Sequence, residues 1–148
     1  MKRIICLLLL TLLLCGCEAK IERFHLDSKY YKEGKIVETD SDKINELTKN
    51  KESFAVFVYM SSCSSCSKFN AILEDFTKEY DITFYAIPVQ DIKDTDVCEC
   101  VKYSPSVAIY KDGENVSYLD ANSDKDKEYY ESVDGFKKWL SKYIYLTN

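Results

Sequence analysis

The chain has 148 residues, 20 of them basic and 25 acidic, which gives a net charge of −5 with no basic cluster. This length leaves room for one domain of ordinary size. The acidic balance argues against a nucleic-acid ligand and against electrostatic binding to anionic lipid.

The first 16 residues have the pattern of a targeting segment. Lys2 and Arg3 precede an apolar stretch, residues 4–14, which is shorter than the roughly 20 residues that a membrane-spanning helix needs. The stretch ends in Leu-Cys-Gly-Cys17, which resembles a bacterial lipobox, in which the last cysteine is lipidated and becomes the new N-terminus. We therefore predict a lipoprotein signal peptide over residues 1–16 and a lipid anchor on Cys17. A plain secretory signal or a short anchor helix is the alternative.

Export affects how the seven cysteines are interpreted. Three of them fall in the signal peptide or at the lipidation site. The four that remain in the folded part are Cys63, Cys66, Cys98 and Cys100. Because exported compartments are generally oxidising, thiols there tend to form disulfides rather than metal sites.

The segment after the signal is polar and mixed in charge. Residues 17–32 show no helical or strand period, so we predict a tether between the membrane and a single domain over residues 33–148. Residues 34–39 have the pattern of a short strand. Ser41 or Asp42 then offers an N-cap for a short helix.

The most informative motif is Cys63-Ser-Ser-Cys66, which follows an almost purely apolar run, residues 54–60. Such a run is expected of a parallel strand buried on both faces. Apolar residues then recur at helical spacing from Phe69 to Tyr80, which predicts a helix beginning near the cysteines. The motif therefore lies at a strand-to-helix junction.

A cysteine at a helix N-terminus can act as a nucleophile. Unpaired N–H groups and the helix dipole favour an anion there, and such thiols fall from a pKa of about 8.5 to roughly 3.5–7.5. Cys66 lies on the apolar stripe, and its Cβ atom is about 5–6 Å from that of Cys63, close enough for a disulfide. We predict that Cys63 is an exposed thiol that attacks disulfides, and that Cys66 is a buried thiol that resolves the mixed disulfide.

The second half of the domain has the pattern of further strands. Residues 82–87 complete a β-α-β unit, and Pro105 opens another strand over residues 107–110. Asp112-Gly113 is a strong hairpin signal. Residues 116–119 should therefore pair antiparallel with the preceding strand.

The C-terminal segment has the pattern of a helix. Ser132 is a good N-cap, and apolar residues follow at helical spacing; they are Phe136, Trp139, Leu140 and Tyr143. No repeat, low-complexity tract or second domain boundary interrupts the chain.

This order of elements resembles thioredoxin. The likeness covers roughly residues 35–142, and its specific motifs are Cys63-Ser-Ser-Cys66, the Ser104-Pro105 step and the hairpin Lys111-Asp112-Gly113. The resemblance implies an α/β, thioredoxin-like fold with a central mixed β-sheet flanked by helices, and no cofactor. The predicted lipid-anchored form is similar to bacterial membrane-attached thioredoxin-like lipoproteins, and more loosely to bacteriocin transport accessory proteins.

The resemblance also implies roles for residues outside the cysteine motif. Pro105 should follow a cis peptide bond and face the cysteine pair, so that Ser104 and Pro105 shape the edge that binds substrate; an ordinary trans proline is the alternative. Thioredoxin has a buried aspartate, used for proton transfer, where this chain has Phe57. Deprotonation of Cys66 would therefore need another base or water.

Other uses of the cysteines compete with redox exchange. Cys63 and Cys66 are also compatible with a structural disulfide, and together with Cys98 and Cys100 with a zinc site, although Cys-x-Cys is a poor zinc knuckle. A copper site would be expected to include a histidine near the cysteines, and the single histidine, His25, lies in the predicted tether. We therefore predict no metal.

Cys98 and Cys100 have two further interpretations. They precede Pro105 by a few residues, so a thioredoxin-like fold should place them on the same side of the domain as Cys63. They would be either a second redox pair that exchanges electrons with Cys63 and Cys66, or a structural disulfide that acts as a staple within an irregular loop.

Together these observations predict a thiol–disulfide oxidoreductase anchored by lipid at the extracytoplasmic face of the bacterial cell membrane. It would act as a monomer on disulfides of exported proteins, with an unidentified thiol protein as electron donor or acceptor. Whether it reduces, oxidises or isomerises is left open. The alternative is a non-catalytic accessory module that binds a membrane or secretion complex and has a structural disulfide.

Overall fold

The computed structural model of the protein describes residues 22–147. The predicted signal peptide, residues 1–16, and the predicted lipidation site, Cys17, lie outside the described residues. Among the residues that are described, no helix is both long enough and apolar enough to cross a membrane.

Five strands form one mixed sheet in the order β1-β3-β2-β4-β5. They are β1 (Ile36–Glu38), β2 (Phe54–Tyr59), β3 (Phe84–Pro88), β4 (Ser106–Lys111) and β5 (Glu114–Leu119). β3 pairs in parallel with β1 and β2, whereas β4 pairs antiparallel with β2 and β5. The central strand β2 is buried at five of its six residues, as its apolar sequence predicts. The predicted α/β fold with a central mixed sheet is confirmed.

Within residues 22–147, four α-helices and three short 3₁₀ helices accompany the sheet. The helices are α1 (Ser41–Lys49), α2 (Ser64–Tyr80), α3 (Val97–Cys100) and α4 (Val133–Leu140). The 3₁₀ helices are Ser28–Tyr31, Val89–Asp94 and Lys127–Tyr130.

Capping residues define where two of these helices begin. Ser132 caps α4, as predicted, by accepting a hydrogen bond from the Gly135 N–H at 3.0 Å. The cap of α1 is Asp40, which accepts from the Lys43 N–H at 2.9 Å, and not Ser41 or Asp42 as predicted. The prediction was wrong by one residue because Asp40 is still extended and its carboxylate can therefore reach back over the first turn.

Aromatic side chains join α2 and α4 to one face of the sheet. Phe136 of α4 packs edge to face against Phe69 and Phe76 of α2, with ring centroids 5.4 and 4.9 Å apart. Phe57 of β2 contacts Phe69 at 5.7 Å. Side chains alternate between the faces of a strand, so the even-numbered residues of β2 point to the opposite face.

The hairpin between β4 and β5 is the one that the sequence predicts. Asp112 and Gly113 both have positive φ, 52° and 79°, as a tight turn between antiparallel strands requires. β5 begins at Glu114 and so is two residues longer at its start than residues 116–119 predicted.

The N-terminal segment is packed on the domain. Phe24, Leu26 and Tyr30 are buried, and the backbone of Phe24 exchanges hydrogen bonds with Tyr143 and Tyr145 near the C-terminus. The prediction of a tether over residues 17–32 is therefore wrong for residues 22–32. The buried apolar side chains of this segment are carried by an irregular backbone, so the sequence of the segment shows no helical or strand period.

Candidate active site

The two cysteines of the Cys-x-x-Cys motif lie at the N-terminus of α2, just beyond the end of β2. Cys63 is the N-cap of the helix, and its backbone is extended. Its sulfur accepts a hydrogen bond from the Cys66 N–H at 3.1 Å, in the position where a serine or aspartate oxygen usually caps a helix. A thiolate at this place is therefore stabilised by the free N–H groups of the first turn and by the helix dipole.

The surroundings of Cys63 favour its charged form. The Ser65 side-chain oxygen lies 3.0 Å from the Cys63 sulfur. Partial burial opposes ionisation, but the hydrogen bonds from Cys66 and Ser65, through side chains and backbone together, outweigh it and lower the pKa of Cys63. Cys63 is partly exposed, less open than the predicted exposed tip but accessible at the surface.

Cys66 has the opposite environment. It is 3% exposed, and this burial, followed by the hydrogen bond shared with Cys63, raises the pKa of its thiol. The Met60 backbone and the Ser104 side chain act in the other direction without reversing the shift. The predicted burial of Cys66 on the apolar stripe of the helix is confirmed, and the two thiols differ in the direction of their pKa shifts.

Pro105 lies beside the cysteine pair. The Ser104–Pro105 peptide bond is cis, as the resemblance to thioredoxin implies. Pro105 and Ser65 line the same cavity of about 260 Å³, which the aromatic rings of Phe69 and Tyr130 also border. The structure thus brings the predicted substrate-binding residues, Ser104 and Pro105, to the two cysteines.

Tyr130 fixes the segment that carries the cis proline. Its hydroxyl lies 2.8 Å from the Pro105 carbonyl oxygen and 2.9 Å from the Leu119 carbonyl oxygen. Its ring packs edge to face on Phe69 of α2, with centroids 4.8 Å apart. The sequence gives no local sign of the contact between Tyr130 and Pro105, because the two residues lie 25 positions apart.

A second cavity of about 310 Å³ lies on the other side of the first turn of α2. It is lined by Glu38 of β1, by Phe57 and Tyr59 of β2, and by Cys66. The sequence did not predict that Glu38 and Tyr59 lie near the cysteines, because only the pairing of β1, β3 and β2 brings them close to the start of α2.

Cys98 and Cys100 lie on α3, away from the Cys63–Cys66 pair. Phe57 points toward α2, and Phe54, three residues earlier on the same strand, points to the opposite face of the sheet. Tyr110 of β4 is paired with Phe54 and therefore also points to that opposite face. Its hydroxyl contacts Asp96 at the start of α3. The expectation that these two cysteines lie on the same side of the domain as Cys63 is therefore wrong. Asp96, at the start of α3, contacts the opposite face of the sheet, whereas Pro105 lines the cavity beside α2.

The two thiols of α3 point to carbonyl groups of their own segment. The Cys98 and Cys100 thiols donate to the carbonyl oxygens of Lys93 at 3.5 Å and Val97 at 3.3 Å. Residues two apart on a helix do not face each other, so a bond between them requires α3 to unwind. All four cysteines of the described residues are free thiols, and a role of Cys98 and Cys100 as a redox pair or a staple stays a prediction.

No group of three or more His, Cys, Asp or Glu side chains within residues 22–147 is arranged to hold a metal ion. His25, the single histidine, stacks on Tyr145 with ring centroids 4.6 Å apart. It thus belongs to the packed N-terminal segment and lies exposed on its surface.

Comparison with known proteins agrees with this architecture. Solved structures with the same fold include a thioredoxin mutant from Halobacterium salinarum, 16% identical, covering 79% of this chain and 97% of its own, with a TM-score of 0.59. They also include thioredoxin from Schistosoma mansoni, 20% identical, covering 76% and 99%, with a TM-score of 0.55. Thioredoxin O1 from Arabidopsis thaliana is 16% identical and covers 73% and 96%, with a TM-score of 0.53.

At these identities the structural likeness shows the fold alone. No curated protein matches the chain significantly. The family model of thioredoxin, however, matches residues 34–131, which include both cysteines of the motif, the cis proline and the hairpin. The chain therefore belongs to the thioredoxin family.

Proposed function

We propose that this protein is a thiol–disulfide oxidoreductase that works through Cys63 and Cys66. One observation supports this proposal above all others. At the start of α2 the Cys63 sulfur accepts a hydrogen bond from the Cys66 N–H at 3.1 Å, whereas the Cys66 side chain is 3% exposed. The pKa of Cys63 is accordingly lowered and that of Cys66 is raised. In such a pair, one cysteine is more readily ionised to the nucleophilic thiolate, and the other stays protonated until it resolves the mixed disulfide.

The exchange proceeds in two balanced steps. The Cys63 thiolate attacks one sulfur of a substrate disulfide; a Cys63–substrate bond forms, the substrate S–S bond breaks, and the other substrate sulfur leaves as a thiolate that takes up a proton. Cys66 then loses its proton and attacks the Cys63 sulfur. The Cys63–Cys66 disulfide forms, the second substrate sulfur leaves, and the substrate has gained two electrons.

The same steps in reverse oxidise a dithiol substrate. Which direction prevails depends on the reduction potential of the pair relative to its partners. In either direction a second thiol protein must return the Cys63–Cys66 pair to its starting state. No organic cofactor takes part in this exchange.

The cavity beside Pro105 is where we place the substrate chain. It is lined by Ser65 next to the attacking thiol, by Pro105, and by the apolar rings of Phe69 and Tyr130. A substrate segment bound there has its disulfide next to Cys63. Ser104, whose side chain interacts with Cys66, forms the edge of this site.

Reduction of insulin by dithiothreitol tests the proposal. Catalytic amounts of the wild-type protein should shorten the delay before the insulin B chain precipitates, whereas Cys63→Ser should remove the effect. In the absence of dithiothreitol, reduced Cys66→Ser should instead accumulate a mixed disulfide with insulin. Cys98→Ser is the matched control and should behave as wild type; if it abolishes activity and Cys63→Ser does not, the roles of the cysteines are misassigned.

The same assay distinguishes the enzyme from a non-catalytic binding module of the same fold. A module with a structural Cys63–Cys66 disulfide would leave insulin precipitation unchanged. Its reduced Cys63 would also be alkylated near neutral pH no faster than an ordinary thiol. Both results together would overturn the proposed activity.

We further propose that the protein works at the extracytoplasmic face of a bacterial membrane, held by lipid on Cys17. The support is the basic pair Lys2-Arg3, the apolar stretch of residues 4–14, and the Leu-Cys-Gly-Cys17 sequence. Metabolic labelling with a fatty-acid analogue in a bacterial host should label the wild-type protein and not Cys17→Ser. Equal labelling of both, or of neither, would contradict the anchor.

A further inference from the structure

Glu38, Ala86 and Phe57 form a row across three neighbouring strands. Glu38 of β1 is paired with Ala86 of β3, which is paired in turn with Phe57 of β2. Residues paired in this way point to the same face of the sheet, and Phe57 contacts Phe69 of α2 on that face. Glu38 therefore points toward the side of the sheet on which α2 and Cys66 lie, and the small side chain of Ala86 leaves room between them.

The space between Glu38 and the first turns of α2 is the cavity of about 310 Å³. Cys66 and Glu38 both line it, together with the polar side chains of Ser67 and Asn70. A water molecule takes up about 30 Å³ of liquid volume, so the cavity has room for several. Water held there by hydrogen bonds to the polar lining would connect the buried thiol to the carboxylate.

Glu38 is an exposed residue at the end of β1, and Tyr59 orients its carboxylate. The Tyr59 hydroxyl donates to Glu38 Oε2 at 2.8 Å, and the Tyr59 ring stacks on Phe57 with centroids 5.8 Å apart. Desolvation, followed by the hydrogen bond to Glu38, raises the pKa of Tyr59 to about 12, so Tyr59 remains a donor at neutral pH. Cys66 from α2 is the other titratable residue that lines this cavity. The charge of Asp91, from the 3₁₀ helix Val89–Asp94, acts on Tyr59.

We propose that Glu38 accepts, through water in this cavity, the proton that Cys66 must lose before it attacks the mixed disulfide. The inference rests on the proposed exchange activity and identifies a base for its second step. Phe57 cannot accept a proton, although it borders the same cavity. The proton leaves the Cys66 sulfur and ends on Glu38. The Cys66–Cys63 bond forms as the Cys63–substrate bond breaks, and the substrate sulfur leaves as a thiolate. That thiolate takes up a proton, and Glu38 returns to the carboxylate form when it releases its own.

A single-turnover reaction with oxidised glutathione isolates this step. Cys63 of the reduced protein forms a mixed disulfide with glutathione, and Cys66 then displaces the glutathione. After acid quenching, alkylation and trypsin digestion, both cysteines are recovered on one peptide, residues 52–68, and Cys98 and Cys100 on another, residues 94–102. The mass of the first peptide shows how much mixed disulfide and how much Cys63–Cys66 disulfide exist at each time and pH.

Glu38→Gln should slow the decay of the mixed disulfide near neutral pH and move its pH profile to higher pH. A general base in direct contact contributes roughly 10²–10⁴-fold, so we expect a loss of about ten-fold for one that acts through water. Formation of the mixed disulfide, which depends on Cys63, should be unchanged. Glu38→Asp, which keeps a carboxylate, should recover part of the rate.

Glu114→Gln is the matched control, because Glu114 is an exposed glutamate on β5 at the opposite edge of the sheet. It should leave both steps unchanged. If Glu38→Gln resolves the mixed disulfide with the wild-type rate and pH profile, the inference is wrong while the exchange activity stands. If wild-type protein forms neither a mixed disulfide at Cys63 nor the Cys63–Cys66 disulfide, the proposed function fails, and this inference fails with it.

Discussion

The side-chain oxygen of Ser65 lies 3.0 Å from the sulfur of Cys63. A hydrogen bond to a thiolate favours the charged form, and Ser65 is one of the groups that lower the pKa of Cys63. Ser65→Ala should therefore raise that pKa and slow the alkylation of Cys63 by iodoacetamide several-fold at pH 7. The pH profile of alkylation measures this directly.

Ser64→Ala is the control for that experiment. Ser64 is an exposed serine in the same first turn of α2, whereas the side-chain contact to the Cys63 sulfur comes from Ser65. It should leave the profile close to that of wild type. Identical profiles for Ser65→Ala and wild type would show that the backbone N–H groups of α2 suffice to stabilise the thiolate.

Tyr130→Phe should weaken substrate binding and leave the cysteines intact. The variant loses the hydroxyl that bonds the carbonyl groups of Pro105 and Leu119, so the segment beside the substrate cavity is less well held. We expect the KM for insulin to rise a few-fold, the unfolding free energy to fall by about 1–2 kcal/mol, and the alkylation profile of Cys63 to stay unchanged. Tyr129→Phe, which loses a bond to Lys142, should leave KM as it is.

The packing of the N-terminal segment predicts that Leu26→Ala is destabilising. Leu26 is 2% exposed, and removing a buried leucine side chain costs about 2–5 kcal/mol of unfolding free energy. Urea denaturation should show this loss as a lower midpoint. Lys32→Ala, at an exposed position of the same segment, should change stability by no more than about 0.5 kcal/mol. Equal midpoints for the two variants would mean that residues 22–32 contribute nothing to the domain.

Tyr110 should make the fold sensitive to alkaline pH. Burial, followed by the charge of Asp96, raises its pKa far above the ordinary value. An unfolded tyrosine ionises near pH 10, whereas folded Tyr110 stays protonated, so the folded state binds more protons. The stability contribution is complete below about pH 10 and falls as the pH rises above it, by at most about 1.4 kcal/mol per pH unit.

Tyr110→Phe removes this proton difference, so its stability should decline less steeply between pH 9 and 11 than that of wild type. Urea denaturation at several pH values measures the slope. Tyr103→Phe, at a position that is 53% exposed, should keep the wild-type slope. A wild-type slope in Tyr110→Phe would show that other groups, such as buried Tyr30, cause the alkaline loss.

The features that the sequence predicted correctly are local. The buried strand β2 is apolar at every residue, Ser132 caps the helix that follows it directly, and Asp112-Gly113 forms the turn at its own position. The different environments of Cys63 and Cys66 follow from their three-residue spacing on one helix. Each of these properties depends on neighbours within a few residues.

The features that the sequence did not predict depend on distant contacts. Leu26 is buried against the core without any periodic pattern around it, so the segment resembles a tether. Glu38 reaches the cysteine cavity only because β1, β3 and β2 pair in one register. Tyr130 bonds Pro105 across 25 residues. Such contacts are fixed by tertiary packing, which a pattern along one chain does not contain.

Trapping with the Cys66→Ser variant tests the central claim most directly. The reduced variant is mixed with oxidised glutathione, and the mass of the peptide of residues 52–68 is measured by mass spectrometry after acid quenching, alkylation and digestion. We predict a stable mixed disulfide at Cys63 in this variant and its rapid conversion to the Cys63–Cys66 disulfide in wild type. The Cys63→Ser variant keeps the buried thiol of Cys66 as the single thiol of this peptide, and it should form an adduct there far more slowly.

The account would be contradicted if Cys66→Ser showed no mixed disulfide at Cys63, or if Cys63→Ser formed an adduct on this peptide as fast as Cys66→Ser does.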